Sequence, residues 1–172
     1  ALAKSEIIQN IKENGYLILN ADDSFYNFHK KIALKKKISV LSFSIKNKSS
    51  NIYLNSILKE KSKYKISVTI NNTNRFFYLN TCFESDIKNL LASIVTISIY
   101  KNINKLDCNF FYSNKIPIGR GDISKIKLFK KKFYLIDQSY NSNPLSLNSA
   151  LKNFNMIKLT NTKKHLILGD ML

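Results

Sequence analysis

Cysteine, glycine and arginine are all scarce in this 172-residue chain, and each scarcity closes off a class of function. Cys82 and Cys108 are the only two cysteines. They lie far apart with no His at metal-ligand spacing, which argues against a disulfide scaffold or a zinc module and leaves buried or incidental thiols. Four glycines in the whole chain leave no Gly-rich loop ending in Lys-Ser or Lys-Thr, the element that cradles nucleotide triphosphates. No apolar run approaches the ~20 residues of a membrane helix. Ala1-Leu2-Ala3-Lys4-Ser5-Glu6 has neither the charged nor the apolar region of a signal peptide, so the expectation is a cytoplasmic protein that does not enter a membrane. No internal repeat and no Pro-rich linker breaks the sequence, and 44% hydrophobic content suits one globular domain with a real core.

Arg75 and Arg120 are the only arginines among 28 basic residues, which face 11 acidic ones for a net charge of +17. Such a charge invites a nucleic-acid reading, because a basic face gains affinity by releasing counterions from phosphates. The lysines, however, are spread along the chain with abundant Asn and Ile, a bias that reads as coding drift toward A+T over solvated surfaces. Lys35-Lys36-Lys37 and Lys130-Lys131-Lys132 each precede a strand-like run and read as solvated turns. Arg75-Phe76-Phe77-Tyr78 could stack bases, but β alternation accounts for it as well. A basic nucleic-acid-binding module and a relic structural domain therefore stand as alternatives to an enzyme.

What is present is an alternation of helical and β patterns. Ser5 to Asn14 carries helical spacing at Ile7, Ile8 and Ile11, with Gly15 as a stop and a strand beginning at Tyr16. Ser39 to Ile45, Asn51 to Leu58, Tyr64 to Ile70 and Phe76 to Leu79 are β-rich runs separated by polar clusters, predicting an antiparallel subdomain over about 38–80 beside the main sheet. Ile87 to Tyr100 predicts a buried helix capped by Ser85 and Asp86. A short helix is expected from Asn104 to Tyr112, before Pro117, and another from Leu145 to Phe154. The fold class is α/β: a mainly parallel sheet flanked by helices, with a small antiparallel β subdomain.

Candidate chemistry sits where apolar runs stop. Phe133 to Ile136 ends at Asp137-Gln138-Ser139-Tyr140-Asn141-Ser142-Asn143-Pro144, which places a carboxylate, amides and a helix N-terminus around one junction. Tyr16 to Leu19 runs into Asn20-Ala21-Asp22-Asp23, and Leu166 to Leu168 into Gly169-Asp170. If the three runs are neighbouring parallel strands, their acids share one edge suited to phosphate, ribose or Mg²⁺ chemistry. A capped helix and solvated turn carboxylates are the plainer readings. Gly119-Arg120-Gly121 adds an arginine between small neighbours, able to grip a phosphate bidentately.

Taken in order, Ala3-Lys4-Ser5-Glu6-Ile7, Leu19 to Asp23, Gly119-Arg120-Gly121, Asp137 to Pro144 with Ser146 and Ala150-Leu151, and Leu168 to Leu172 make a collinear set that resembles the Mur ligases. Within that family the Ser139-Tyr140-Asn141 and Asn143-Pro144 turn is nearest to members that join D-alanyl-D-alanine to UDP-N-acetylmuramoyl-tripeptide. The ligase adding the third peptide residue and folylpolyglutamate synthase are neighbours. The resemblance implies a partial central ATP-binding domain over 1–172, using ATP and Mg²⁺, with the phosphate loop upstream of Ala1, and hence a segment inactive by itself. It implies flanking N- and C-terminal domains in the same chain. It also implies a carbamylated Lys4 that helps hold Mg²⁺, Asn89 at the adenine, Arg120 at the nucleotide phosphates, and Asp137 and Asn141 at the ribose and phosphate end. Ser85 and Asp86 depart from the His and Asn usual before the position of Asn89, so one adenine contact is lost or replaced.

Overall fold

Four successive apolar residues suit a strand covered on both faces, and Tyr16–Asn20 forms such a strand, β1, in the computed structural model of the protein. The structure describes residues 2–113, 117–140, 143–157 and 163–170. The chain divides into two compact units, Ala1–Asn114 and Lys115–Leu172. In the described residues of the first, the elements run α1 (Leu2–Gln9), β1, α2 (Tyr26–Lys35), β2 (Ser39–Ser44), β3 (Ile52–Glu60), β4 (Lys63–Ile70), β5 (Thr73–Leu79) and α3 (Glu84–Tyr100).

The five strands form one sheet in the order β1-β2-β3-β4-β5. β1, β2 and β3 are mutually parallel, and β4 and β5 follow antiparallel. The expected α/β class is therefore present, with antiparallel pairing from β3 to β5, whereas Ser39–Ser44, expected within the antiparallel block, is parallel to both its neighbours. That block nevertheless extends the main sheet and is not a subdomain beside it: Phe43 pairs with Ile52, joining β2 to β3 in parallel. Coverage explains the two sequence textures. α1 and α2 pack on one face through Ile8 and Ala33, against Ile38, Leu17 and Val40. α3 packs on the other through Leu90, Leu91, Ile94 and Val95, meeting Ile18, Leu41, Phe43, Ile66, Val68 and Phe77. The parallel strands thus read as apolar runs, whereas β3 to β5 alternate.

The opposite face of β3 to β5 is mixed: Leu58 and Phe76 are exposed on it, and Thr69 Oγ1 is bonded to both Asn55 and Asn74. Their hairpins turn on left-handed residues. Asn71 and Asn72 both have positive φ, the signature of a tight two-residue turn, and Asn tolerates that conformation.

Three local expectations change. α1 stops at Gln9, well before Gly15. Lys36 Nζ takes the terminal carbonyls of Ile8 and Gln9, at 3.4 and 2.6 Å, so Lys35-Lys36-Lys37 is a cap as well as a turn. It is Asn14, at φ 61°, that takes the left-handed conformation. The expected helix over 104–112 is only a 3-10 turn at Ile103–Lys105 followed by turns. There Asn102 and Asp107 side chains capture the N–H groups two residues on, offering the backbone an alternative to a helix.

In the second unit β6 (Asp122–Leu128) and β7 (Lys131–Asp137) form a two-stranded antiparallel sheet, and α4 (Pro144–Met156) follows. Phe129 and Lys130, both with positive φ, close the hairpin. The expectation of three neighbouring parallel strands with acids on one edge fails here. The run ending at Asp137 pairs antiparallel with its own sequence neighbour, because a two-residue turn makes that pairing the local one. Residues 163–170 form no strand.

Candidate functional site

At the end of β1 the chain turns through its own side chains: Asn20 Oδ1 accepts from the Asp22 N–H at 3.0 Å and Asp23 Oδ1 from the Phe25 N–H at 2.8 Å. Asp22 reaches across to the end of β2. Ser44 Oγ donates to it at 2.5 Å, the Ile45 N–H at 2.7 Å and the Lys46 N–H at 3.3 Å. Burial raises the Asp22 pKa, but the bonds from Ser44, Ile45 and Lys46, with the Lys88 charge, outweigh it and hold the carboxyl below its ordinary value. Asp22 is thus a clamp between two strand ends, with both oxygens engaged. Beside Asn20 a pocket of about 220 Å³ opens between β1 and the start of α2, walled by Ile18, Leu19, Phe25, Tyr26 and His29.

α3 begins near that clamp, close enough for the Lys88 charge to act on Asp22. Ser85 and Asp86 lie inside its first turn, and the N-cap is Phe83, without a side-chain cap bond. Asp86 accepts from Thr81 Oγ1, and Glu84 pairs with Lys88 at 2.6 Å, which holds its carboxyl below the usual range. Asn89 is exposed one residue beyond. Lys4 lies in α1, against the opposite face of the sheet from α3, and its side chain is outside the described residues. Lys4 and Asn89 are therefore not brought together.

In the second unit the structure does assemble two of the expected residues. Past the β6–β7 ladder, which ends at Asp122 opposite Asp137, the Gly-Arg-Gly turn keeps pairing with the other arm. The Gly121 N–H donates to Asp137 O at 2.6 Å and the Tyr140 N–H to Gly119 O at 3.1 Å. Gly119 has φ +77° and Gly121 φ +97°, and a Cβ on Gly119 would stand 2.9 Å from Tyr140 Cβ. Only glycine meets both demands. Asp122 Oδ1 fastens the turn by accepting from the Gly119 N–H at 2.7 Å. Arg120 is left exposed, its guanidinium carbon 4.7 Å from the Tyr140 ring centre.

Asp137 heads the other arm. Its Oδ1 accepts from the Ser139 N–H at 2.9 Å. The Ser139 hydroxyl, then that N–H, lower the carboxyl's pKa against a small opposing effect of desolvation, so it is an anion at neutral pH. Asn141 is outside the described residues. Asn143 caps α4 in a reciprocal box with Ser146, with Pro144 in the first turn. The turn thus offers a cation, a carboxylate and a capped helix N-terminus. Among the described residues no three His, Cys, Asp or Glu side chains converge as a metal site. The signals for Ser44 and Tyr140, which sequence reading had not paired with Asp22 and Arg120, were present only as ordinary strand and turn residues.

Comparison with known proteins adds the wider setting. Residues 1–97 match the Mur ligase middle domain. The chain is 31% identical over all 172 residues to the UDP-N-acetylmuramoyl-tripeptide--D-alanyl-D-alanine ligase of Buchnera aphidicola subsp. Baizongia pistaciae, and it spans 35% of that relative's length. Among solved structures, MurF from Acinetobacter baumannii superposes with a TM-score of 0.73 at 20% identity, covering 91% of this chain and 33% of that one. MurF from Thermotoga maritima, solved with ADP, gives 0.67 at 18% identity over 87% of this chain and 33% of its own. Folylpolyglutamate synthetase from Lactobacillus casei gives 0.64 at 9% identity over 88% of this chain and 37% of its own. Likenesses of this order define the fold alone.

Proposed function

Because the chain belongs to the Mur ligase family, we propose that the whole protein is a cytoplasmic ATP-dependent ligase that joins D-alanyl-D-alanine to UDP-N-acetylmuramoyl-tripeptide during peptidoglycan synthesis. The observation that carries this reading is the identity, running the full length of the chain, with a relative named for that reaction. In the proposed reaction the γ-phosphoryl group of ATP passes to the terminal carboxylate of the tripeptide, releasing ADP and leaving an acyl-phosphate. The dipeptide amine then attacks the acyl carbon, loses a proton and expels phosphate as the amide forms.

This chain's contribution is to bind and orient ATP. Arg120, free of any carboxylate partner among the described residues, meets phosphate oxygens with its forked N–H groups. Asp137 accepts from a ribose hydroxyl, and Asn141 is the other residue that the resemblance assigns to this end of the nucleotide. Asn89 reaches the adenine. Lys4, if carbamylated, would help hold Mg²⁺, whose charge would neutralise phosphate oxygens.

The acceptor amine separates this reading from its neighbours. ADP release by the full-length protein with ATP, Mg²⁺ and UDP-N-acetylmuramoyl-tripeptide is expected to depend on added D-alanyl-D-alanine. Release driven instead by a diamino acid on the dipeptide nucleotide, or by glutamate on a folate, would assign it to another branch of the family. Tight DNA or RNA binding near physiological salt without any ligation would favour the basic-module reading.

A further inference from the structure

We propose that Tyr140 is a positioning residue that holds the Arg120 guanidinium ready for a phosphate group. The inference rests on the nucleotide reading above and deepens it. Two kinds of observation place the residues together. The backbone does so through the Tyr140 N–H bond to Gly119 O at 3.1 Å and through the approach that would bring a Gly119 Cβ to 2.9 Å from Tyr140 Cβ. The side chains do so through the guanidinium lying 4.7 Å from the ring centre.

The choice of partner matters chemically. A carboxylate would fix Arg120 too, but it would consume the forked N–H edge and cancel the charge. A ring face attracts the cation through its quadrupole and leaves the N–H edge open. Asp137 and Asp122 both lie within this turn, yet neither pairs with Arg120: Asp122 takes the Gly119 N–H and Asp137 the Ser139 N–H. The nearby acids are engaged with backbone while the arginine is held by an aromatic face. An exposed arginine otherwise has many rotamers, and ordering it on binding a ligand costs affinity. Tyr140 reduces that cost before the ligand arrives.

The test is a double-mutant cycle on the full-length enzyme, reading KM for ATP, KM for the peptide nucleotide, kcat and the thermal midpoint. Tyr140→Leu is expected to raise KM for ATP about two- to fivefold with the other three nearly unchanged, and Tyr140→Phe, which keeps the ring, to restore it. In an Arg120→Ala background Tyr140→Leu should add nothing. Additive effects, or a rise that Phe does not correct, would overturn the positioning role while leaving the nucleotide site standing. An Arg120→Ala enzyme with unchanged KM for ATP would overturn the phosphate reading itself.

Discussion

The two units of this chain hold their shape by different means. Every buried hydrophobic side chain described, from Ile8 to Phe111, belongs to the first; the described residues of the second contribute none. In the first unit Phe77 meets Phe111 edge to face, 5.4 Å between ring centres, inside a cluster shared by α3 and four strands. In the second a two-residue turn, a doubly glycine-flanked arginine and a reciprocal helix cap set the geometry. A packed core resists change at many positions at once, whereas turn chemistry is sensitive at a few and tolerant elsewhere. The residues proposed to touch ATP phosphate and ribose fall in the tolerant unit, where side chains can be altered without disturbing a core.

Substitutions that sharpen this contrast fall in a clear order. Phe77→Ala, in the first unit, should cost about 3–5 kcal/mol in denaturant unfolding, since it empties a fully buried site. Asp22→Asn should cost about 1–3 kcal/mol by weakening the Ser44, Ile45 and Lys46 bonds. The Asp22 carboxyl has a folded pKa below its unfolded value. Its contribution is therefore complete at neutral pH and is lost as pH falls below about 4 through the folded value. A pH titration of stability should show that loss in the parent and not in Asp22→Asn. In the second unit Gly119→Ala should cost about 1–2 kcal/mol for its φ of +77°, while Leu145→Ala, 84% exposed, should stay within about 0.5 kcal/mol. A Leu145 effect as large as that of Phe77 would erase the distinction between the units.

The sequence made legible whatever is carried by local pattern. Tyr16 to Leu19 announced a strand, Ile87 to Tyr100 a buried helix, and Asn143-Pro144 a helix start; each is present, with α4 extending to Met156. It was less informative where long-range pairing decides. Alternation in 38–80 indicated antiparallel strands but not that Phe43 would join them to β1 and β2 in one sheet. Phe133 to Ile136 looked like a parallel strand because its apolar run is continuous; the Phe129-Lys130 turn that pairs it with β6 lacks the Asn-Gly or Asp-Gly usually signalling such a hairpin. α2 escaped notice because its polar face dominates the sequence and only Ala33 is fully buried. At the candidate site, Arg120 and Asp137 were recognisable one by one, but their proximity depends on hydrogen bonds between two arms about 17 residues apart, which no spacing rule encodes.

The Gly119–Tyr140 turn is proposed to serve nucleotide chemistry, and Asp137→Ala in the full-length protein separates that role from folding. Thermal unfolding and ATP-dependent ligation would be measured side by side. Expected is an unchanged unfolding midpoint with kcat/KM for ATP lowered about 10- to 100-fold, the loss of one charged hydrogen bond. Wild-type ligation by Asp137→Ala, or a loss of activity that merely tracks a lowered midpoint, would contradict it.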